Sequence, residues 1–397
     1  MTGRRIAFLS SEFPTETPRG GGLSSYLGRM TQALRDAGHE PEVFVLSAHE
    51  PATLEHRGVR VQRVRRADRH PAVRLAWHAL PKLGLAHLYP TLHQLSGALG
   101  LARALEARDA ERPFDAVQSA DYLAVGLCVR RRAGRPHLLR CSSASDLWAS
   151  SDQDGRLVRR LEAALERVAI RRADFAYAPS RFVAEHLSRR LRRAVHVLRP
   201  PGFLETKPAL EPPRGLPPRF LMHVGKPLRA KGTHVLAAAL PRVWAQDPSF
   251  TLVVAGLTRD ALLEPYGELW GAQASRVIAL GALEKPELYA ALARAEASVQ
   301  PSLADNLPNV AIESLLLGVP VVAFAGASLD ELVEPGVTGE LAPLGDEAAL
   351  AAALLRVWRG QSPAHKGFTW RAEIAEQMRP RRAVANLLAF AGLAENE

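Results

Sequence analysis

Short apolar runs alternate with longer amphipathic stretches along the first half of the chain. The runs Ile6–Ser10, Val59–Val64 and Phe175–Pro179 predict strands that are wholly or partly buried. Between them, apolar residues recur with helical spacing over Leu23–Ala37 and Leu157–Arg172, which predicts amphipathic helices. This alternation of strand and helix signals favours an α/β fold built on parallel sheets.

The same alternation restarts after a proline-rich stretch. Residues 199–218 are rich in proline, as expected for a linker between domains. Beyond it, the pattern predicts a strand at Arg219–Gly225 and a helix at Gly232–Gln246. We therefore predict two successive α/β domains, over residues 1–205 and 206–375.

Length, composition and cysteine usage fit a two-domain protein of a reducing compartment. With 397 residues, of which 47% are hydrophobic, the chain is long enough for two sizeable cores. Its apolar runs break within about a dozen residues, too short for a transmembrane helix. The run Ile6–Ser10 is also too short for the apolar region of a signal peptide. Cys128 and Cys141 form no metal or disulfide pattern, so we expect a cytoplasmic protein.

Positive charge is concentrated in the first half. The whole chain carries +10 at pH 7, of which residues 1–205 contribute about +12 and the remainder about −2. A basic half fits an anionic acceptor, peripheral contact with a lipid surface, or an arginine-rich solvated surface, and these alternatives stay open. Because no nucleic-acid motif accompanies the charge, we expect no nucleic-acid partner.

The segment 66–108 is the hardest to assign. On a helix, Arg74, Trp77, His78 and Lys82 would form a basic and aromatic face suited to a membrane surface or an anionic acceptor. The alternative is an ordinary surface helix that packs through its leucine and tryptophan residues.

Two acidic residues stand out in the second half. Asp305 and Glu313 lie eight positions apart, around an Asn-Leu-Pro-Asn turn. Glu313 is unusual because its predicted helix is otherwise almost wholly apolar, and a buried carboxylate is costly without partners. Such a carboxylate suits the binding of polar hydroxyl groups. The alternative is an ordinary β-loop-α unit in which the Glu has no special role.

The predicted helix that contains Glu313 has start and stop signals. Asp305 or Asn306 is placed to cap its N-terminus, and Pro308 fits its first turn. Gly318 suits the left-handed residue that ends it. The helix N-terminus therefore faces a loop that follows a strand, where a phosphate or a sugar can bind.

Two glycine-containing loops have the form of phosphate-binding segments. One, Gly-Lys-Pro-Leu-Arg-Ala-Lys-Gly, links a predicted strand to a predicted helix, so that Lys226 and Lys231 can converge on a diphosphate. The other includes Gly21 and Gly22, whose backbone N–H groups can approach a phosphate closely. The alternatives are two exposed lysines at a helix start and a merely flexible turn. Neither loop matches the fingerprint of an NTPase or a dehydrogenase.

Together these motifs resemble the retaining glycosyltransferases of family 4, or glycosyl transferases group 1. Asp305 and Glu313 resemble the family's acid-x7-acid signature, with Asp in place of the usual first Glu. Lys226 stands where the family commonly has Arg, and Ala327 where its next motif has Gly. The resemblance implies the GT-B fold, in which two Rossmann-like domains face each other across the active-site cleft. It also implies that a C-terminal helix, here within residues 376–397, packs back on the N-terminal domain.

The resemblance further implies roles for individual residues. The implied donor-binding residues are Gly21, Gly22, Lys226, Lys231, Asp305, Asn306, Leu307 and Glu313. Among them, Glu313 binds the ribose, Asp305 contacts the transferred sugar, and Lys231 stabilises the leaving diphosphate in place of a metal ion. Lys226, Lys231 and Asp305 are therefore the predicted catalytic residues, and neither a metal nor a cofactor is expected. In many relatives a His follows the strand equivalent to His137–Cys141. Ser142 stands there in this chain, and with Asp146 it is the candidate for acceptor binding.

The implied activity is transfer of a hexose from a nucleotide diphosphate sugar, with UDP as the first expectation. The acceptor would be a hydroxyl of a glycan, a lipid-linked sugar or a secondary metabolite, and same-face attack would retain the anomeric configuration. Two alternatives stay open. One is an epimerase or phosphorylase of the same fold. The other is a non-catalytic nucleotide-sugar-binding homologue, which the departures at Asp305, Lys226 and Ser142 favour.

Overall fold

The chain forms two compact units. The computed structural model describes residues 3–16, 21–142, 156–225, 228–370 and 372–394. The first unit combines Met1–Pro201 with Arg379–Glu397, and the second unit is Gly202–Met378. Both are built on a largely parallel sheet flanked by helices, so the α/β fold predicted from the sequence is confirmed.

The first unit contains an eight-stranded sheet in the order β3-β4-β2-β1-β5-β6-β7-β8. Its strands are β1 Arg5–Ser10, β2 Glu40–Leu46, β3 Thr53–His56, β4 Val59–Val64, β5 Ala116–Ala120, β6 His137–Arg140, β7 Phe175–Ala178 and β8 His196–Val197. Only β3 pairs antiparallel, with β4. Central strand β1 is buried along its whole length, as its apolar sequence predicts for a parallel strand covered on both faces.

Helices connect these strands. Those that precede the second unit are α1 Gly22–Asp36, α2 Pro71–Lys82, α3 Tyr89–Glu111, α4 Arg156–Arg172 and α5 Arg181–Leu191. The segment that was hardest to assign therefore forms α2 and most of α3. Trp77 of α2 stacks on Tyr89 of α3 with ring centroids 4.6 Å apart, whereas Leu75 is 73% exposed. The tryptophan thus packs against the protein. Among the described residues, no helix is both long and apolar enough to cross a membrane.

The second unit contains a six-stranded sheet in the order β11-β10-β9-β12-β13-β14, with every neighbouring pair parallel. Its strands are β9 Leu221–Val224, β10 Leu252–Ala255, β11 Val277–Gly281, β12 Ser298–Gln300, β13 Val321–Phe324 and β14 Gly339–Ala342. Its helices are α6 Thr233–Trp244, α7 Arg259–Trp270, α8 Lys285–Arg294, α9 Asn309–Leu316, α10 Glu347–Trp358 and α11 Ala372–Gln377. The strand order reverses between β9 and β12, which makes this the switch point where open α/β sheets bind ligands.

The last helix, α12 Pro380–Phe390, belongs to the first unit. The ring of Phe390 lies 5.3 Å from that of Phe175, 5.8 Å from that of Tyr177 and 5.0 Å from that of His196. These contacts cover the edge formed by β7 and β8 with an apolar side chain from the far end of the sequence.

His223 in β9 makes the stability of the second unit depend on pH. Its ring is buried and bonds the carbonyl of Val299 at 2.9 Å and the hydroxyl of Thr233 at 3.1 Å. Burial lowers the pKa of His223 from 6.5 to about 4. Between these values the unfolded chain binds a proton that the folded ring does not. The free energy of unfolding therefore falls as the pH drops through this window and levels off below it.

We expect the wild type to lose about 2 kcal/mol of stability through His223 between about pH 7 and about pH 5. The variant His223→Asn should lack this component, although it is less stable at neutral pH. Urea denaturation of both proteins at the two pH values measures the difference. The exposed His365→Asn is the control and should keep the wild-type slope. A slope unchanged in His223→Asn would contradict the assignment.

Candidate functional site

Two loops of the second unit meet at its switch point. The lysine loop, Gly225–Gly232, follows β9, and the carboxylate loop, Pro301–Pro308, follows the adjacent strand β12. The carboxyl ends of parallel strands lie on one edge of a sheet, so both loops are on the same edge. The structure therefore brings together two motifs that are about 70 residues apart in the sequence.

Backbone contacts hold the two loops against each other. The N–H of Leu303 donates to the carbonyl of Ala230 at 2.8 Å. Gly232 has φ +69, and a Cβ atom there would lie 1.7 Å from the carbonyl oxygen of Pro301. Both the backbone conformation and the close approach thus require glycine at this position.

The loop contact places Lys231 on Asp305. The Lys231 Nζ lies 2.7 Å from the Asp305 Oδ2, and the side chains are 29% and 9% exposed. Two of the predicted catalytic residues are therefore paired, with the ammonium group still accessible to a ligand. The third, Lys226, lies outside the described residues.

Asp305 uses its carboxylate to organise its own loop. Its Oδ2 accepts a hydrogen bond from the Ser302 hydroxyl at 2.9 Å, and its Oδ1 accepts from the N–H of Asn306 at 2.9 Å. The prediction that Asp305 or Asn306 caps helix α9 is wrong. The N-cap position is occupied by Pro308, without a side-chain cap. Asp305 is held three residues upstream of that position by its bonds to Lys231 and Ser302.

The two backbone N–H groups predicted to bind the sugar already have acceptors inside the protein. Asn306 donates to Asp305, and the N–H of Leu307 donates to the Ser328 Oγ at 2.9 Å. Leu307 and Ser328 both adopt left-handed conformations, with φ +60 and +67. Such strain in residues other than glycine is typical of functional loops. Ser328 has no sequence signal that points to it, and the sugar contacts of Asn306 and Leu307 stay predictions.

Glu313 is fully buried in α9, with 0% of its surface exposed. Its Oε1 contacts the ammonium group of Lys285 and accepts a hydrogen bond from the Tyr289 hydroxyl at 3.3 Å. Its Oε2 has no hydrogen-bond partner among the residues that the structure describes. A buried oxygen without a partner is costly, so this position favours a ligand that donates a hydrogen bond.

The remaining predicted residues belong to the first unit. Gly21 is the N-cap of α1 and Gly22 its first residue, and no side chain caps this helix start, which suits an anion. Ser142 donates its N–H to Asp121 at 2.6 Å, and its hydroxyl accepts from Arg140 at 2.5 Å. Asp146 lies outside the described residues. Ser142 is therefore fixed by protein contacts, and its acceptor role stays a prediction.

Comparison with known proteins gives a consistent picture along the chain. Residues 218–359 match the family described as Glycosyl transferases group 1, and residues 21–202 match the Glycosyl transferase 4-like domain. The chain is 28% identical to 2-deoxystreptamine N-acetyl-D-glucosaminyltransferase of Streptomyces fradiae over 375 residues, which cover 86% of this chain and 83% of that protein. It is 37% identical to a glycogen synthase of Mycobacterium tuberculosis over 142 residues. That match spans 35% of this chain and only 34% of the glycogen synthase.

Solved structures share the architecture of the whole chain. Sucrose-phosphate synthase from Thermosynechococcus elongatus superposes with a TM-score of 0.68 at 23% identity, covering 98% of this chain and 96% of that chain. Anabaena HepE, solved in complex with UDP and glucose, gives a TM-score of 0.65 at 19% identity, covering 98% and 99%. At these identities the likeness shows the fold.

Proposed function

Because the chain belongs to the glycosyl transferases group 1 and has the GT-B fold, we propose that it transfers a hexose from a nucleotide diphosphate sugar to a hydroxyl acceptor. The family and the fold expected from the motifs are confirmed, and the protein is a glycosyltransferase. The hexose, the UDP donor, the retained configuration and the metal-independent mechanism belong to the proposal.

The unpartnered Oε2 of Glu313 carries this proposal. A nucleoside brings ribose hydroxyl groups, which can donate the hydrogen bond that this buried oxygen lacks. Lys285 holds the other oxygen, so the carboxylate is charged and oriented before the ligand arrives. This arrangement supports binding of the nucleotide by the second unit.

Lys231 is the charged group proposed to stabilise the leaving diphosphate. In the reaction, the acceptor oxygen attacks the anomeric carbon from the face that the diphosphate leaves. The bond from this carbon to the diphosphate oxygen breaks, and the acceptor proton passes to the departing phosphate, so no protein base is required. Negative charge grows on the diphosphate, and the Lys231 ammonium group, joined in the proposal by Lys226, stabilises it. Asp305 positions Lys231 and is proposed to accept a hydrogen bond from the sugar.

UDP is the first donor nucleotide to test and ADP the second. The Anabaena protein was solved with UDP and glucose, and a starch synthase of Arabidopsis thaliana with ADP and acarbose. For the acceptor, we propose a hydroxyl group bound by the first unit, with Ser142 and Asp146 as candidate contacts. The basic character of that half supports an anionic or lipid-linked acceptor.

The proposal predicts nucleotide binding without a metal ion. Calorimetric titration of the protein with UDP, ADP, GDP and TDP, in the presence of EDTA, should show tight binding of one nucleotide. The variant Lys231→Ala should weaken that binding about tenfold to 100-fold, because it removes a charged hydrogen-bond donor to phosphate.

Lys207→Ala is the matched control, since Lys207 is an exposed lysine of the same unit. It should bind as tightly as the wild type. Binding of no nucleotide, or equal affinity in Lys231→Ala, would sink the proposed donor site. Tight binding without sugar transfer to any acceptor of a broad panel would favour the non-catalytic homologue.

A further inference from the structure

A cavity of about 1210 Å³ lies at the carboxyl ends of the strands of the first unit. We call it the basic pocket. Ser11 after β1, Ser47 after β2, Arg65 after β4 and Tyr122 after β5 line it. The strand order of this sheet reverses between β1 and β5, so the basic pocket lies at the switch point of the first unit.

Cations outnumber anions on the walls of the basic pocket. The charged lining residues are Arg65, Arg66, Arg69, Arg103, Glu12 and Asp68. Arg65 pairs with Glu50, and Asp68 accepts a hydrogen bond from Ser96 at 2.7 Å. Among the residues that the structure describes, Arg66, Arg69 and Arg103 form no ion pair. Their guanidinium groups are therefore available to an anionic ligand.

Arg66 is held in position by helix α3. Its Nη1 donates to the carbonyl of His93 at 2.9 Å. A Cβ atom on Gly97 would lie 2.7 Å from this Nη1, and one on Gly100 would lie 2.5 Å from the carbonyl oxygen of Arg65. The two glycines, one helical turn apart, thus let the arginine segment lie directly on α3. Burial lowers the pKa of Arg66, which shows that its guanidinium group is partly removed from water.

Three further features of the basic pocket favour an anion. His70 and Pro71 line it and form the N-terminus of α2, where the helix dipole is positive. The Ser11 hydroxyl is buried without a partner among the described residues. Leu123 on the wall has φ +56, a strained conformation for a residue with a branched side chain.

We propose that the basic pocket binds the phosphate group of a phosphorylated acceptor. This inference rests on the proposed function, since it names the acceptor class of the same transferase. Guanidinium groups bind phosphate through parallel N–H donors, and a donor that is already fixed loses little entropy on binding. A neutral sugar would leave the arginines without a counter-charge. The phosphate can belong to a soluble sugar phosphate or to a lipid-linked sugar.

Binding of defined phosphate compounds tests the inference. The protein is first saturated with its best nucleotide, so that the donor loops are filled. It is then titrated with glucose 6-phosphate, with glucose as the neutral match, and with phosphatidylcholine vesicles with and without polyprenyl phosphate. We expect binding of a phosphate compound and none of glucose. The glucose 6-phosphate and polyprenyl phosphate arms distinguish the soluble source from the lipid source.

Variants then locate the binding. The double variant Arg66→Gln and Arg103→Gln should raise the Kd of the phosphate compound at least about tenfold. Arg189→Gln, an exposed arginine of the same unit, should leave it unchanged. Arg103 is exposed, so Arg103→Gln alone is expected to fold and to show part of the effect. Gly97→Ala should also weaken binding, because it displaces the Arg66 guanidinium group without removing a charge.

The outcomes separate this inference from the proposed function. If nucleotide binds but no phosphate compound does, the inference is overturned and the donor site stands. Equal binding to vesicles with and without polyprenyl phosphate also overturns it, in favour of a lipid surface. An unchanged Kd in the double variant places the phosphate elsewhere. If no nucleotide binds, the proposed function has failed by itself, and loss of glucose 6-phosphate binding in the double variant still supports an anion site.

Discussion

Replacing Glu313 by glutamine is expected to lower the affinity for the bound nucleotide about 100-fold. The substitution keeps the shape of the side chain but removes a buried charge that pairs with Lys285. Truncating or neutralising one member of a buried, hydrogen-bonded charge pair costs about 2–5 kcal/mol in binding. Calorimetric titration of the variant with the nucleotide selected by the wild type measures the loss.

A ligand change locates the lost contact. The wild type should discriminate against a nucleotide that lacks a ribose hydroxyl, and this discrimination should shrink in Glu313→Gln, because the hydroxyl no longer meets a carboxylate. Glu268→Gln, an exposed position on α7, is the control and should bind normally. Full discrimination retained in Glu313→Gln would show that the ribose binds elsewhere.

Gly232→Ala is expected to be among the most destabilising single methyl additions in the second unit. Left-handed backbone costs a residue with a Cβ about 1–2 kcal/mol. The new methyl group would also overlap the Pro301 carbonyl oxygen, at 1.7 Å, and push the carboxylate loop away from the lysine loop. We expect a total loss of about 3 kcal/mol or more, measured by urea denaturation.

Gly360→Ala is the matched control for the conformational part. Gly360 has φ +66, nearly that of Gly232, but its Cβ position has no atom within 4 Å. It should cost only about 1–2 kcal/mol. Equal losses in the two variants would mean that the overlap is relieved without disturbing the loops. Gly232→Ala should in addition weaken nucleotide binding, because Lys231 and Asp305 lie in the displaced loops.

The sequence was sufficient for the strands and helices that have a clear apolar period. The strand Val59–Val64 has the bounds predicted for it, and Gly318 ends α9 with φ +70 as its position suggested. Edge strand β3 escaped prediction because its sequence, Thr-Leu-Glu-His, is polar and half exposed. Helix α3 was obscured by Gly97 and Gly100, which are poor helix formers placed there for packing.

The partners of the predicted site residues were beyond the reach of sequence patterns. Lys285 lies 28 residues from Glu313, and Lys231 lies 74 residues from Asp305. Such pairs are set by which strands are neighbours in the sheet, which periodicity does not reveal. The motifs identified the charged residues, and the strand order determined which of them meet. The basic pocket likewise combines four separate segments of the chain, each unremarkable alone.

The position of α12 has a consequence for how the protein is made. The first unit needs α12, whose Phe390 covers Phe175 and Tyr177, yet this helix leaves the ribosome last. The second unit is one continuous segment and is complete before then. A nascent chain therefore finishes its second unit first and keeps an apolar edge of its first unit open until synthesis ends. The order of completion is the reverse of the order of synthesis, and the open edge is where a chaperone would act.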